Sequence, residues 1–401
     1  MKVLLVLEAT LGGTSRHLLD LADGLLERGI EVHFVYSTLR ADGNFLSGLA
    51  SLRATRPGFH CHSIPITREV TFSDISSYVK VSRYVSDHGP FDVIHAHSTK
   101  AGFLTRLLLN SGSARMVYTS HGLMTMDPAL TGARRRAVCR LESMLAYRSD
   151  VVVSVSNAER HAAVQTGIPA SKIILIPNGI HLIPSELQLK SRKTIRDSMG
   201  LLSDSICIGF VCRLVPQKKP ERAIEAFALL KQRTTHNVHL AMIGRGAKET
   251  ELRQMVARLG IETNVHFLGE VDGAVHMSAF DVLAHASSFE AFGYVFVEAL
   301  SAGVPIVTTR VGGVEELIST GVTGYICDPW NPSTFADYLQ LLVDDPVQRS
   351  ALSVAARERA AEYTVAKMVN STAELYNRLC ASADHPQAAL ASYETLRTNS
   401  K

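Results

Sequence analysis

Two glutamates, Glu290 and Glu298, lie eight positions apart in Ser287-Ser288-Phe289-Glu290-Ala291-Phe292-Gly293-Tyr294-Val295-Phe296-Val297-Glu298-Ala299-Leu300. On one continuous helix that spacing would set the carboxylates about 80° apart around the axis and about 12 Å apart along it. A dyad sharing a proton, or a glycosidase pair, needs them closer. The separation suits two grips on one long ligand. With Glu290 in a loop and Glu298 inside a helix, the helix N-terminus between them would offer N–H groups at Phe292 and Gly293, which bind oxyanions or hydroxyls. A surface helix that happens to carry two glutamates is the alternative.

A second group follows an apolar run: Phe210-Val211-Cys212-Arg213-Leu214-Val215-Pro216-Gln217-Lys218-Lys219-Pro220. Arg213 and Lys218 there, before a helix expected to start near Pro220, make a clamp for a diphosphate. A solvated basic loop is the plainer reading. Near the N-terminus, Gly12-Gly13 separates the first apolar run from the first helical pattern. Such a pair lets the backbone approach an anion, or simply makes a tight turn. Arg16, just beyond it, reads either as a contact for an acceptor phosphate or as a surface arginine on a helix. Histidines close two further apolar runs, in Asp92-Val93-Ile94-His95-Ala96-His97-Ser98 and Tyr118-Thr119-Ser120-His121-Gly122. His95-x-His97 raises a metal reading, but no third ligand at matching spacing is evident. No metal site is expected, and His95 reads as a core residue.

These residues carry a resemblance. Glu290, Phe292-Gly293, Glu298, Ala299 and Gly303-Val304-Pro305 resemble the signature of glycosyltransferase family 4, the retaining GT-B enzymes. Arg213-Leu214 and Lys218 resemble that family's Gly-Arg-Leu…Lys-Gly pattern, with Cys212 and Lys219 standing where the glycines would be. The resemblance implies that Arg213 and Lys218 hold the diphosphate of a nucleotide sugar and that Glu298 accepts from ribose hydroxyls. It implies that Glu290, Ala291, Phe292 and Gly293 grip the transferred sugar, and that Gly12 and Gly13 border the donor diphosphate. Gly13, Arg16 and His97 would face the acceptor. His121 would lie near the transferred sugar and steady developing charge rather than attack, so the catalytic set is His121, Arg213, Lys218 and Glu290. No cofactor is implied beyond the nucleotide sugar, UDP- or GDP-linked, and no metal. His97-Ser98-Thr99-Lys100-Ala101-Gly102-Phe103-Leu104-Thr105-Arg106 further resembles bacterial exopolysaccharide and capsule glycosyltransferases. The expected acceptor is a glycan or lipid-linked oligosaccharide.

The elements that would position these groups are legible as short apolar runs alternating with amphipathic stretches. Val3 to Leu7, Val32 to Tyr36, Val93-Ile94, Met116 to Tyr118, Val151 to Val153 and Ile173 to Leu175 read as strands buried on both faces, which implies a parallel sheet with crossover helices. The pattern restarts at Ile206 to Val211 and continues at Val238 to Ile243, Val265 to Leu268, Val282-Leu283 and Pro305 to Thr308. In open α/β sheets ligands sit beyond the carboxyl ends of the strands, which is where the residues above fall. The expected fold is α/β: two doubly wound Rossmann-like domains, residues 1–185 and 200–364. A polar linker would span 180–200 and a flexible tail 383–401, and the resemblance implies a C-terminal helix, about 365–382, that returns to the first domain. Thr14 or Ser15 is the expected cap of the first helix.

Composition sets the outer bounds. The chain has 401 residues, 46% of them hydrophobic, and 41 basic against 38 acidic side chains leave a net charge of +3. That near-neutrality argues against a nucleic-acid-coating protein. No signal segment and no run of about 18 apolar residues is evident. The six cysteines are scattered and read as reduced, so a cytoplasmic location is expected, at the inner face of a membrane if the acceptor is lipid-linked. Arg134, Arg135, Arg136 and Arg140 open an amphipathic helix that could rest on anionic lipid or be an ordinary solvated face. Three rival functions stay open: a nucleotide-sugar 2-epimerase of related fold, a catalytically idle nucleotide-sugar-binding partner, and a NAD-dependent Rossmann enzyme. The last is poorly served, because Gly12-Gly13 does not extend to G-x-G-x-x-G.

Overall fold

The computed structural model describes residues 1–69 and 71–381; the tail expected over 383–401 lies outside them. The chain divides into two units, Met1–Gly179 with the segment from Val365, and Ile180–Thr364.

The first unit holds a seven-stranded parallel sheet among the described residues. Its strands are β1 (Lys2–Leu7), β2 (Glu31–Tyr36), β3 (Phe59–Ser63), β4 (Val93–His97), β5 (Arg115–Thr119), β6 (Val151–Ser154) and β7 (Ile173–Leu175), in the order β3-β2-β1-β4-β5-β6-β7. Val3 to Leu7 are wholly buried, as befits a central strand covered on both faces. The first helix, Gly13–Glu27, lays Leu18, Leu21, Ala22 and Leu25 into the core at helical spacing. Its cap differs from expectation. Gly12 is the N-cap, at φ 69, a conformation that favours glycine. Ser15 sits inside the first turn, where its Oγ donates to the Gly12 carbonyl.

The returning helix Val365–Ala381 packs within this unit. Val369 fits so closely against Gly24 that an added Cβ there would lie 2.7 Å from the valine methyls. Its Tyr376 hydroxyl meets His95 Nδ1 at 2.6 Å, while His95 Nε2 meets Thr119 Oγ1 at 2.8 Å. His95 is a core residue, tying the helix to two strands.

The second unit carries β8 (Ile206–Val211), β9 (Val238–Ile243), β10 (Val265–Gly269), β11 (Val282–His285), β12 (Ile306–Thr309) and β13 (Gly324–Cys327), all parallel, in the order β10-β9-β8-β11-β12-β13. The expected linker is a correction: Ser185–Ser198 is a helix of this unit. Two of its charges are spent internally, Arg192 and Arg196 both pairing with Asp281 at 2.6 and 3.0 Å. The chain crosses between units at Gly179/Ile180 and Thr364/Val365, and Ile180 and Thr364 bridge each other. Strands β3 and β13 were not expected from the sequence. Both lie at sheet edges; Phe-His-Cys-His-Ser is mostly solvated and Gly-Tyr-Ile-Cys is only four residues long. Among the described residues no helix is long and apolar enough to cross a membrane.

Candidate active site

In the second unit, β8 delivers Arg213 at its carboxyl end, with the side chain exposed. Leu214 is buried and anchors the loop behind it. The loop after β9 presses against this turn: a Cβ on Gly244, at φ 123, would come within 1.9 Å of the Cys212 carbonyl oxygen. The turn Pro216–Lys218 then ends on Lys219 at φ 48, ψ 49, and the helix Pro220–Arg233 begins. Lys219 therefore holds a left-handed conformation that suits glycine, the residue the resembling motif has there. Of the two lysines, Lys218 reaches inward, with Nζ 2.5 Å from Glu290 Oε1.

Glu290 follows β11 and is buried. His285 Nε2 lies 2.8 Å from its Oε1, and Ser287 Oγ donates to the same oxygen at 2.8 Å. The adjoining Ser288 bonds the Gln217 carbonyl through both N and Oγ, at 3.0 and 2.9 Å, fixing the two loops to each other. Burial alone would raise the Glu290 carboxyl; the Lys218 charge and the His285 hydrogen bond outweigh it and bring the pKa down to about 2. His285 is lowered by burial, against the pull of Glu290. The site thus stores a fixed ammonium–carboxylate pair beside a neutral imidazole.

Gly293, at φ 80, is the N-cap of helix Tyr294–Ala302, and a Cβ on it would sit 2.5 Å from the Phe296 ring. Glu290, Ala291 and Phe292 precede the helix, so the continuous-helix geometry between the two glutamates does not apply. The Phe292 side chain is buried against Tyr294 and Tyr363, which leaves its backbone as the part able to meet a ligand. Glu298 is half-buried on the second turn.

In the first unit, Gly12 and Gly13 are exposed at the carboxyl end of β1. Arg16 lies 3.9 Å from Asp20 across one helical turn. His97 ends β4, and His121, at φ 54, follows β5. His97 Nδ1 and His121 Nε2 are 2.9 Å apart. No third ligand stands at a matching spacing in the sequence, but the fold brings one from a distance: His17 adds a third imidazole, its ring 4.6 Å from that of His121 and 5.5 Å from that of His97, and the three ligand nitrogens lie within 4.8 Å of one another. Burial drives all three below the ordinary histidine pKa, His17 to about 4 and the other two well down. They are neutral at pH 7. His17 Nδ1 and His97 Nε2 have no hydrogen-bond partner among the described residues.

The His121 loop is held by a residue that none of the motifs includes. Glu159 is buried and accepts from Gly122 N at 2.6 Å, from Val155 N at 2.7 Å and from Ser120 Oγ. Its signal is present in the sequence: Ser156-x-x-Glu159 has capping-box spacing, and Ser156 Oγ does accept from Glu159 N. His17, His285 and Ser287 likewise stand outside the expected site; each lies close in sequence to a motif residue, with no spacing of its own to mark it. Lys100 and Arg106, in the segment resembling exopolysaccharide enzymes, are consumed by buried pairs with Asp74 and Glu142. Arg134, Arg135, Arg136 and Arg140 lie on helix Gly132–Ala146, all four exposed, near exposed Leu141 and Met144.

Two parallel-sheet units, one ending its strands in histidines and the other in a lysine–glutamate pair, define a glycosyltransferase of GT-B type. The comparisons with known proteins agree. Residues 11–182 match the model described as glycosyltransferase family 4, and residues 191–359 the model described as glycosyl transferases group 1. Together they span most of the chain, which belongs to family 4 and is an enzyme of the hexosyltransferase kind. The chain is 27% identical to the N-acetyl-alpha-D-glucosaminyl L-malate synthase of Bacillus anthracis, over 94% of this chain and 96% of the relative. It is also 27% identical to the D-inositol 3-phosphate glycosyltransferase of Corynebacterium diphtheriae, over 91% and 89%. Among solved structures, Anabaena HepE in complex with UDP and glucose superposes with TM-score 0.79 at 24% identity, covering 94% of this chain and 99% of that one. WaaG, a glycosyltransferase involved in lipopolysaccharide biosynthesis, does so with TM-score 0.72 at 19% identity, covering 94% and 98%. These two likenesses establish the fold.

Proposed function

We propose that this glycosyltransferase is retaining and metal-independent. It moves a sugar from a UDP- or GDP-linked donor to a glycan or lipid-linked oligosaccharide in bacterial surface-polysaccharide assembly. The observation that carries the donor half is the Lys218–Glu290 pair, its carboxylate buried and its ammonium partly so, at the carboxyl ends of β8 and β11. Lys218 and Arg213 hold the diphosphate and stabilise it as it leaves. Glu290 is already clamped by Lys218, His285 and Ser287, so it serves as a hydrogen-bond acceptor for sugar hydroxyls, together with the backbone at Ala291, Phe292 and Gly293, and not as a nucleophile. Glu298 accepts from the ribose. Gly12 and Gly13 border the diphosphate, and Gly13, Arg16 and His97 serve the acceptor.

The acceptor hydroxyl attacks the anomeric carbon on the face from which the diphosphate departs. The new C–O bond forms as the old one breaks, and the hydroxyl proton passes to the leaving phosphate oxygen. His121 positions the reacting groups in its neutral form. Catalysis is then positional and electrostatic. The arginines of helix Gly132–Ala146 support work at the inner face of a cytoplasmic membrane.

One observation favours a second acceptor class. The two relatives named above, matched along nearly their whole length, are named for inositol 3-phosphate and for malate, which makes a small anionic acceptor near Arg16 the competing reading. Calorimetry with UDP-, GDP- and ADP-sugars, followed by proton NMR of the product, tests the proposal. One donor should bind, its anomeric configuration should persist in the product, and EDTA should leave the rate unchanged. An inverted product ends the retaining reading, and an epimerised donor without acceptor makes the enzyme a 2-epimerase. Transfer to inositol phosphate or malate, but not to lipid-linked glycan, decides for the small acceptor.

A further inference from the structure

Strands β2 and β3 bring a different constellation together at the edge of the first sheet, at the amino ends of the strands. His33 of β2 is register-paired with His60 of β3, and Glu31, two positions before His33, shares its face. His33 Nε2 lies 2.9 Å and His60 Nε2 3.9 Å from Glu31 Oε1, and the three ligand atoms lie within 4.8 Å of one another. Two imidazoles and a carboxylate are a donor set for a borderline divalent ion such as Zn²⁺, which takes three protein ligands and a water in tetrahedral geometry.

The surroundings fit that use. His33 is 3% exposed, and its Nδ1 is 2.8 Å from Tyr84 Oη. When Nδ1–H donates to the phenol, the Nε2 lone pair is left for a metal, the outer-shell arrangement of histidine ligands. The His60 side chain, 54% exposed, opens the entry path. One feature opposes binding: Lys2 Nζ lies 3.4 Å from Glu31 Oε1. It is also bonded to the His88 carbonyl at 2.6 Å, so a metal must compete with a tethered cation.

We propose that Glu31, His33 and His60 form a divalent transition-metal site that pins the edge strand β3 to β2. The site is separate from transfer chemistry, since the catalytic candidates lie at the opposite, carboxyl ends of the strands.

The test titrates Zn²⁺ into untagged full-length protein by calorimetry. The wild type should bind one ion per chain with micromolar affinity. His60→Ala, a change at an exposed position, should abolish this while leaving transfer activity unchanged. Tyr84→Phe should weaken binding about tenfold. Lys2→Gln should tighten it. His97→Ala separates this site from the other histidine cluster and should leave the stoichiometry intact. Absence of Zn²⁺ binding by the wild type, equal binding by His60→Ala, or loss that accompanies His97→Ala would each overturn the proposal.

Discussion

The two units place their working residues at the same structural address, the carboxyl ends of parallel strands, yet fill it with opposite electrostatics. In the first unit, buried His17, His97 and His121 face one another uncharged. In the second, Lys218 and Glu290 form a charged pair, and exposed Arg213 adds a further cation. A diphosphate needs fixed positive charge, which survives burial only when paired or hydrogen-bonded. A hydroxyl acceptor needs polar groups that can orient it without competing for its proton. Two parallel sheets of similar build thus carry, at the same ends of their strands, groups of opposite electrostatic character, the division of labour that the proposed transfer reaction requires.

The sharpest way to break this contrast is to remove the charge from the second unit. Lys218→Ala is expected to lower kcat/KM about 10³-fold, the scale of losing a charged transition-state donor, as read by steady-state transfer assays. A near-normal rate would leave the diphosphate assignment without support. His121→Ala should cost about 10²-fold, as befits a positioning group in general acid–base and electrostatic catalysis. The same variant should leave donor affinity by calorimetry unchanged, and a matched loss of donor binding would blur the division between the units.

Acid separates the units next. The three histidines are neutral in the folded protein, whereas free imidazoles protonate near pH 6.5. Between that pH and about 4, the folded value for His17, the unfolded chain binds more protons, so stability falls as pH falls. Glu290 titrates in a lower window. Its stabilising pair is complete above the ordinary carboxyl pKa and is lost only as pH falls toward about 2. Hydrogen exchange at pH 7 and pH 5, corrected for intrinsic rates, should therefore show protection falling most around His97 and His121, where three lowered imidazoles lie together, and less around Glu290, where His285 alone is lowered and Glu290 pulls against that shift. Equal loss in both places would erase the distinction. The smallest effect concerns Lys219. Lys219→Gly relieves a left-handed non-glycine residue and should stabilise the second unit by about 1 kcal/mol, read by urea unfolding, with transfer unaffected. Loss of activity would mean that the Lys219 ammonium, and not Lys218 alone, serves the ligand.

The sequence disclosed most of this frame because buried parallel strands are written in runs without charge, rich in Val, Ile and Leu. Val3 to Leu7 and Ile206 to Val211 could hardly be anything else. It hid β3 because Phe-His-Cys-His-Ser is mostly solvated, and β13 because Gly-Tyr-Ile-Cys is short with a single aliphatic side chain, whereas the edge strands β7 and β10 keep apolar runs and were legible. The helix Ser185–Ser198 looked like a linker because it is rich in charge, yet Arg192 and Arg196 turn to Asp281 in the folded chain, and composition cannot distinguish a charge spent inside from one facing water. At the sites, Arg213, Lys218 and Glu290 were visible through fixed local spacing. His17, Glu159 and His285 were not, because their roles depend on neighbours brought in by the fold. Glu159 reaches the His121 loop from 37 residues away.

The returning helix Val365–Ala381 has a consequence for how the protein comes into being. Val369, Leu375, Tyr376 and Leu379 belong to the same core cluster as Val3, Leu5 and Leu7, and His95 cannot close its hydrogen bonds until Tyr376 arrives. The ribosome must make all of Ile180–Thr364 in the interval. At about 5–20 residues per second that is a delay of roughly 10–40 s. During it the first sheet waits with part of one core face uncovered, the part that Leu18 to Leu25 and Phe45 to Leu52 do not reach, while the second unit, contiguous in sequence, can finish folding. The unit translated first is thus the one completed last.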